Sequence, residues 1–443
     1  MFRNETKQGT LKYFYYLLGI IGISLAGFSL ITFISTKPPV ISGIEGLEKL
    51  PRKKEIPIKI ESKSALKSVM ITISQGNITK ELLPLSKPGG KTAEYLLKVE
   101  PKKLDIKDGT ASIKLTVKSG LFSKTEKQFE AVIDTVAPVL SVLDSSYITD
   151  LGSATAVLAE ATGADSVYVK IGDKTYPAVN SIFKNKNHYF CIYPLDVDYK
   201  ETIPINAVAE DDAGNVVMTG VKTIFKPTVF KKDVLKISDD FIKRQVFTLL
   251  GLTEGEVEPV DAFKKVNEVW RAENEAKIKE LTSKSVSEIL WQGAFIQMKN
   301  TKVFAHFGDI RSYEYGGKII SGSRHMGFDL ASLANSPVPA SNTGIVQFAG
   351  NLGIYGNTII IDHGLGLMSL YGHLSSILVK EGDKVTKGSI IAKSGMTGFA
   401  GGDHLHFAIL CHGVYVNPVQ WWDIMWIDKR INLVLKKGSM SLE

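Results

Sequence analysis

The chain has 443 residues, enough for about three domains of ordinary size, and its 44% hydrophobic and 22% charged residues are typical of folded domains. The formal net charge of +7 suits polyanionic surroundings such as a membrane surface, nucleic acid or cell wall, without choosing among them. Since the sequence contains no dense block of lysine and arginine interleaved with aromatic residues, the pattern argues against nucleic-acid binding.

The first predicted element is an uncharged apolar segment of 23 residues, Tyr13–Ser35. A helix of that length, at ~1.5 Å per residue, spans a hydrocarbon core of ~30 Å. Because Arg3, Lys7 and Lys12 precede it, we expect a cytoplasmic tail over residues 1–12 and export of the rest. A cleaved signal peptide is the alternative, but the segment is longer than an apolar region of about 7 to 15 residues, and no small-residue cleavage motif follows. We therefore expect a single-pass anchor in the cell inner membrane.

Many short apolar segments follow, separated by turn signals such as Lys87-Pro88-Gly89-Gly90. Ser112–Val117 alternates between polar and apolar residues, which is the pattern of a half-buried strand. A stretch of short strands this long predicts two β-sandwiches of about 95 residues each, over 38–134 and 135–227.

The phrases IDTVAPVLSV and AEDDAGN in this half resemble bacterial immunoglobulin-like repeats, which usually serve as spacers or adhesive units. This part of the sequence shows no catalytic constellation, and His188, alone among strand residues, is expected to be structural. Cys191 and Cys411 fall in different predicted domains and are expected to be buried free thiols.

Residues 228–300 show helical rather than strand periodicity. Ser238 is a predicted N-cap of a helix that ends at Gly251, and a second helix is predicted to begin near Pro259. Ser285 and Glu288 have the spacing of a capping box before a third helix. The prediction is a helical connector, with two roles left open: a structural linker, or a segment that partly covers a site in the next domain.

Seven of the eight histidines lie between residues 306 and 412, among strand-like runs punctuated by glycine. The sequence predicts a small all-β domain over 301–424, followed by a C-terminal tail over 425–443. His325 and Asp329 are four residues apart, so both point to the same side of a strand.

His404 and His406 also share one strand face, whereas Cys411 has the opposite parity and is excluded as a ligand. Catalytic zinc takes three protein ligands from His, Asp or Glu and keeps a fourth position for water. The sequence therefore predicts one Zn²⁺ in this domain. Its predicted ligands are His325, Asp329 and His406. His373 and His404 are predicted to be catalytic, one as the general base for water and the other as a donor to the developing oxyanion.

The stretch from about Phe307 to Trp422 resembles lysostaphin-type (LytM-type) zinc endopeptidases. The matching motifs are H-x-x-x-D at His325 and Asp329, Y-x-H at Tyr371 and His373, and H-x-H at His404 and His406. The resemblance implies a small antiparallel β core with an open groove. It also implies that the same residues hold zinc and act in catalysis, and that the substrates are the peptide cross-links of peptidoglycan.

Asp403 departs from the family by replacing the proline or small residue often found before H-x-H, so we expect an altered groove rim there. Three further histidines have weaker claims to a role. His363 is expected in a hairpin turn, His306 on the approach to the groove, and His412 in a solvated turn.

The sequence predicts a mainly β, multidomain, membrane-anchored peptidoglycan endopeptidase whose catalytic domain lies in the periplasm or on the outer face. A catalytically silent regulator of other wall hydrolases and an adhesive wall protein acting through its immunoglobulin-like domains are the alternatives. Silent relatives typically lose metal ligands, whereas all five inferred positions are present here, which favours the enzyme. Protein regulators are further candidate partners.

Overall fold

The computed structural model describes residues 5–36, 38–120 and 123–440. It divides into two compact units, which are described separately. The first holds the described residues up to Pro138 together with Glu210–Val216, and the second holds the remainder. The predicted fold class, mainly β and multidomain with an apolar N-terminal helix, is confirmed.

The N-terminal helix α1 spans Glu5–Thr36. Within it, Lys12–Leu30 has a mean hydropathy of 1.6 and none of its window is buried, so it is long and apolar enough to cross a membrane. A signal sequence meets the same description. Residues 1–4, including the Arg3 used to predict orientation, lie outside the described residues.

A β-sandwich completes the first unit, with short 3₁₀ turns at Ile44–Leu47 and Pro101–Leu104. Its strands are β1 (Val40–Ser42), β2 (Lys49–Leu50), β3 (Lys54–Glu61), β4 (Leu66–Gln75), β5 (Ile78–Ser86), β6 (Thr92–Val99), β7 (Gly109–Ser119) and β8 (Ser123–Ile133). They form two sheets, ordered β1-β3-β6 and β2-β8-β7-β4-β5. Ile113, Leu115 and Val117 of β7 point into the core between exposed or half-buried neighbours, which explains the alternation in the sequence.

The second unit begins with another sandwich. Its strands are β9 (Val139–Ser145), β10 (Ile148–Asp150), β11 (Ala154–Thr162), β12 (Ser166–Ile171), β13 (Lys174–Pro177), β14 (His188–Pro194), β15 (Ile205–Glu210), β16 (Val216–Gly220) and β17 (Ile224–Lys226). The main sheets run β14-β11-β9 and β13-β12-β15-β16, and β10 pairs with β17. Residues Ala154 to Ala159 of β11 are all buried, so this strand has neighbours on both faces.

The predicted connector contains a strand as well as helices. Its elements are β18 (Lys232–Lys236), α2 (Asp239–Phe241), a π-helical turn (Ile242–Phe247), α3 (Thr248–Leu250), α4 (Pro259–Lys264), a second π-helical turn (Lys265–Trp270) and α5 (Arg271–Leu281). Ser238 caps α2 as predicted, since its Oγ accepts from the Phe241 N–H at 3.2 Å. Gly251 ends the segment with φ of 65°, in the left-handed region.

The predicted third connector helix is wrong, because the structure shows no helix in residues 283–300. Ser285 Oγ donates to Asp362 Oδ1 at 2.7 Å, and the Val286 N–H donates to Asp362 Oδ2 at 3.0 Å. The serine hydroxyl therefore bonds to a distant carboxylate instead of capping a helix.

The C-terminal β domain has thirteen short strands. They are β19 (Lys302–Ala305), β20 (Ile310–Tyr315), β21 (Lys318–Arg324), β22 (Phe328–Ala331), β23 (Pro337–Pro339), β24 (Gly344–Asn351), β25 (Asn357–Gly364), β26 (Leu367–Leu374), β27 (Ser376–Ile377), β28 (Lys384–Val385), β29 (Ile390–Lys393), β30 (Leu405–Cys411) and β31 (Val414–Val416), with a 3₁₀ turn at Gly353–Tyr355. The main sheet is antiparallel in the order β19-β22-β30-β26-β25-β24-β28, with β31 also paired to β30. The connector strand β18 pairs with β20, which joins the connector to this domain through backbone hydrogen bonds.

Helix α6 (Pro418–Trp422) lies at the end of the predicted domain. The predicted tail, residues 425–443, is mostly helical: α7 (Ile424–Ile427), a π-helical turn (Asp428–Asn432) and α8 (Leu433–Met440) follow, and residues 441–443 lie outside the described part. Helix α8 packs on the second sandwich: Lys437 forms an ion pair with Asp144 at 2.9 Å, and His188 Nδ1 lies 2.8 Å from the Gly438 carbonyl oxygen. This contact covers the outer face of β11 and gives His188 a structural role.

Candidate metal centre and catalytic cleft

The backbone register of three adjacent strands brings the predicted site residues together. Asp329 on β22 lies directly opposite His406 on β30, and His406 lies opposite Gly372 on β26. His373 follows Gly372, and its left-handed backbone, with φ of 62°, breaks the strand alternation, so its ring centroid lies 5.9 Å from that of His406. His404 immediately precedes β30 and bridges to Gly395. Residues far apart in the sequence therefore converge because the sheet order interleaves their strands.

His325 reaches the same point from the loop between β21 and β22. Its N–H donates to the Asp309 carbonyl at 2.8 Å, and its own carbonyl accepts from the Gly308 N–H at 2.7 Å. Its Nε2 lies 2.8 Å from Asp329 Oδ1 and 3.1 Å from His406 Nδ1, and these last two atoms are 2.9 Å apart. The three side chains therefore present one compact triangle of possible ligand atoms, as the sequence analysis predicted.

Backbone carbonyls orient three of the four histidine rings. The carbonyl oxygens of His306, Thr397 and Gly402 lie 3.1 Å, 2.8 Å and 2.8 Å from the Nδ1 atoms of His325, His373 and His404 respectively. A carbonyl oxygen can only accept, so each Nδ1 carries the proton and each Nε2 keeps a free lone pair. This outer hydrogen bond is the arrangement that metal-binding and catalytic histidines commonly use.

The donor set fits a zinc ion. In this tautomer His325 directs a lone pair at Asp329 Oδ1, so an imidazole nitrogen and a carboxylate oxygen, both electron-rich, face each other at 2.8 Å. Such atoms repel unless a cation or a proton lies between them. Two imidazoles and one carboxylate also match the three-ligand set of catalytic zinc, in which a fourth position stays open.

Asp329 is held at both of its oxygens. Oδ1 faces the histidines, and Oδ2 accepts a hydrogen bond from Arg311 Nη2 at 3.1 Å. Without a metal, burial alone would raise the pKa of this carboxyl, but a protonated His325, together with hydrogen bonds from His404 and His406, lowers it well below its usual value. Asp329 is therefore ionised, as a metal ligand must be.

His373 and His404 lie side by side, with ring centroids 4.8 Å apart. Burial lowers the pKa of His373 to about 3, so its ring is neutral near pH 7. Burial would also lower the pKa of His404, but Asp329, whose Oδ1 is 3.5 Å from Nε2, raises it instead. His373 also has φ of 62°, a left-handed conformation that is strained for a residue with a side chain. The two neighbours thus differ in their readiness to carry a proton.

These residues open into a cavity of about 420 Å³ whose lining comes from both the β domain and the connector. Phe241 of α2 packs against Phe399 with ring centroids 5.7 Å apart, at one part of the wall. Tyr355 lines the cavity 5.4 Å from the His406 ring, and its hydroxyl donates to Glu275 Oε1 of α5 at 2.5 Å. The connector is therefore part of the site's wall.

The sequence analysis did not assign a role to the connector side chains at this wall. Burial raises the pKa of Glu275, although hydrogen bonds from Tyr355 and Tyr415 and the charge of Arg271 oppose the shift. Arg271 and Glu275 are one helical turn apart on α5, a common spacing on exposed helices. Only the tertiary packing of α5 identifies them as neighbours of the site.

The remaining predictions for individual residues have mixed outcomes. His412 is not solvated as predicted: it is largely buried against Tyr176, and its Nε2 lies 3.0 Å from the Ile192 carbonyl oxygen. His363 is fully buried near the end of β25, where it contacts the Thr343 carbonyl and Ser369 Oγ. Both are structural histidines, and burial lowers the pKa of each to about 4.

Four other predicted positions lie around the site or away from it. The side chain of His306 is 58% exposed, and the backbone carbonyl oxygen of His306 accepts a hydrogen bond from His325 Nδ1. Asp403 accepts from the Asn335 N–H and from Ser394 Oγ, which fixes the rim of the groove. Cys191 and Cys411 are free and buried, as expected.

Comparison with known proteins places the similarity in this domain. Residues 323–418 match the model of peptidase family M23. The DD-carboxypeptidase/endopeptidase Mpg of Neisseria meningitidis serogroup B is 42% identical over 95 residues, covering 21% of this chain and 22% of that protein. The peptidoglycan DD-endopeptidase ShyA of Vibrio cholerae serotype O1 is 42% identical over 96 residues, covering 22% of each.

Among solved structures, the catalytic domain of the antimicrobial peptidase lysostaphin from Staphylococcus simulans is 32% identical, with a TM-score of 0.24. That match covers 28% of this chain and 92% of the other. The chain spans about a fifth of the length of the curated relatives it matches.

Proposed function

Residues 323–418 of this chain form a peptidase family M23 domain, and from this premise we propose that the protein is a membrane-anchored zinc endopeptidase that hydrolyses the peptide cross-links of peptidoglycan. The single observation that carries the proposal is the ligand triangle with two further histidines beside it. His325, Asp329 and His406 present their ligand atoms within 4.8 Å of one another, and His373 and His404 lie at the same cavity.

His325 Nε2, Asp329 Oδ1 and His406 Nδ1 would hold the zinc ion. When bound there, zinc supplies Lewis-acid chemistry, which polarises the scissile carbonyl and acidifies a water molecule. Arg311 holds the second oxygen of Asp329 and so keeps the carboxylate turned towards the histidines. The carbonyls that bind the Nδ1–H groups fix the ring orientations before substrate arrives.

His373 and His404 carry the proton chemistry in this proposal. Their protonated Nδ1 atoms are engaged by backbone carbonyls, so each directs Nε2 as its reactive nitrogen. One of them accepts the proton of the attacking water at Nε2. The other, as an imidazolium that carries a proton on Nε2, donates a hydrogen bond to the oxygen that becomes negative in the transition state.

The test is digestion of purified, cross-linked peptidoglycan by the full chain in detergent, with zinc present and products followed by mass spectrometry. We expect loss of cross-linked dimers with the native chain and a decrease of at least ~10²-fold with His404→Ala. His306→Ala is the matched control, because His306 lines no part of the cavity and its carbonyl contact to His325 is retained. Native activity in the control and its absence in His404→Ala would support catalysis by this site.

A different outcome would favour one of the alternatives. If the chain binds zinc but leaves peptidoglycan intact, while stimulating digestion by another wall hydrolase, it is a regulator. If the intact chain binds cell wall without hydrolysing it, and Asp329→Ala leaves that affinity unchanged, the adhesive role is correct.

The location of the protein is a separate part of the proposal. Lys12–Leu30 would anchor the chain in the inner membrane, with the catalytic domain on the outer side. Intact mass measurement of the chain from membrane and soluble fractions tests this. Retention of the N-terminal residues in the membrane fraction supports the anchor, and a truncated chain in the soluble fraction indicates a cleaved signal sequence.

A further inference from the structure

The cavity has an unbalanced electrostatic lining. Four cationic side chains border it, namely Lys236, Arg271, Arg311 and Arg324, whereas Asp329 is the one acidic residue among the described residues that line it. The only described carboxylate in this lining is already engaged by the histidine cluster and by Arg311. The acids that neighbour the other guanidinium groups, Asp198 beside Arg324 and Glu275 near Arg271, lie outside the lining, so the wall itself is cationic. A cleft of this kind attracts and orients anionic groups.

The three guanidinium groups are fixed in different ways. Arg311 binds the Asp329 carboxylate, so it belongs to the proposed metal centre. Arg324 donates to Asp198 through Nη2 at 3.1 Å and lies 5.0 Å from the centre of the Phe230 ring. Its Nη1 is buried and has no hydrogen-bond partner within the protein, so this donor stays unsatisfied unless a ligand reaches it from the cavity.

Arg271 enters the cavity wall from the connector. It is half-buried, and its Nε and Nη2 donate to the carbonyl and side-chain oxygens of Asn267, one turn earlier in the helical segment. These bonds fix the guanidinium before any ligand binds, so little side-chain entropy is lost on binding. Asn267 is neutral, so it does not balance the charge of Arg271, although Glu275 lies one turn later on the same helix.

We propose that this cavity selects peptides that carry a free carboxylate next to the scissile bond, and that Arg271 and Arg324 are the specificity-determining residues. The inference rests on the proposed endopeptidase function and adds the charge class of its substrate. Guanidinium groups bind carboxylates through paired, charge-assisted hydrogen bonds. A peptide whose carboxylate is replaced by an amide would leave the desolvated guanidinium groups without an anionic partner, which disfavours its binding.

The experiment uses two synthetic cross-linked peptide dimers that differ only in whether the carboxylates beside the cross-link are free or amidated. With the full native chain and zinc, we expect kcat/KM to be at least about tenfold higher for the free-carboxylate dimer. Arg271→Met should reduce that ratio about tenfold, through KM for the free-carboxylate dimer, and leave cleavage of the amidated dimer unchanged. Arg271→Lys keeps the charge without the planar fork, so it should retain part of the preference.

Two further variants separate local charge from general effects. Lys277→Met removes one positive charge from the exposed side of α5, where Lys277 pairs with Glu280, and should leave the ratio unchanged. Lys236→Met removes an exposed cation that borders the cavity and should reduce the ratio by a few-fold without disturbing packing. This second variant keeps the test valid if Arg271→Met fails to fold.

Binding of the same two peptides, measured by calorimetry with the catalytically impaired His404→Ala chain, tests selection without turnover. Equal binding of the two dimers by this variant, together with equal cleavage of them by the native chain, would overturn the selection. An equal loss for both dimers in Arg271→Met would show that Arg271 has only a structural role. If neither dimer is cleaved by the native chain but the free-carboxylate form still binds more tightly, the selection holds and the endopeptidase function fails.

Discussion

The first sandwich buries alternate residues of β7, as a module with one core does, whereas the second sandwich buries six consecutive residues of β11. Val157 of β11 faces the core of its own sandwich. Ala156 and Leu158 face the other way, into the continuous core that includes the C-terminal helices and the M23 domain. Two stretches that look like equivalent repeats in the sequence therefore differ in kind: the first has a core of its own, and the second is part of the catalytic unit.

This difference changes how the protein can be dissected. A fragment that begins at residue 228 would lack β11, whose outer face packs with the C-terminal helices. It would therefore expose apolar side chains of the M23 core. The experiments above therefore use the full chain.

Removal of metal should produce the largest difference in thermal stability between the two units. We expect a chelator to abolish hydrolysis and to lower the melting temperature of the second unit only, since its three ligands all lie there. Zinc at about a thousand times its dissociation constant stabilises a folded unit by ~4 kcal/mol, which calorimetry resolves as a shift of one transition. A shift of both transitions, or of neither, would contradict this expectation.

Gly327→Ala tests how closely the metal site is packed. A Cβ at this position would lie 2.6 Å from the Phe407 carbonyl oxygen and 2.8 Å from His406 Nε2, so the proposed ligand has to move. We expect a loss of hydrolysis of ~10²-fold, since displacements of about 1 Å have effects of this size. Gly220→Ala is the control, because a Cβ there meets nothing within 4 Å and should leave activity unchanged.

The sequence identified the five residues that converge at this cavity through its H-x-x-x-D, Y-x-H and H-x-H motifs. The strand-face argument does not hold for His325, because this residue lies in the loop before β22. The sequence was also sufficient for the period-two strands of the first sandwich. It did not reveal that β11 is covered on both sides, since an apolar run such as Ala154–Ala159 fits many buried environments. Nor did it reveal that Ser285 bonds to Asp362, because that choice depends on a carboxylate 77 residues away.

The contribution of Arg271 and Glu275 was inaccessible from the sequence for a related reason. Charged residues four apart on a helix are ordinary on a solvated surface, and nothing in their spacing identifies the buried Tyr355 hydroxyl as a partner. Local motifs predicted the chemistry of the site, whereas its outer wall depends on how distant segments pack.

A matched pair of core substitutions tests the comparison between the two units. Leu115 in the first sandwich and Leu158 in the second are both fully buried, and replacement of either by alanine should cost about 2–5 kcal/mol of unfolding free energy. Leu158→Ala should lower the temperature at which hydrolytic activity is lost, and Leu115→Ala should leave it unchanged. Calorimetry assigns each change to one transition. If Leu115→Ala inactivated the enzyme at the same temperature as Leu158→Ala, the units would not be independent.

The smallest expected effect concerns the connector as a restraint on the cleft. Phe241 packs on Phe399 at the cavity wall, so we propose that it limits access of cross-linked strands. Phe241→Ala should raise kcat/KM on intact peptidoglycan by about two- to fivefold, because the loss of one aromatic pair is worth ~1 kcal/mol. Hydrolysis of a short soluble peptide dimer should change less, because the short dimer needs less room. Val229→Ala is the control, since Val229 is 94% exposed. A fall in activity on both substrates would instead show that Phe241 helps to bind substrate.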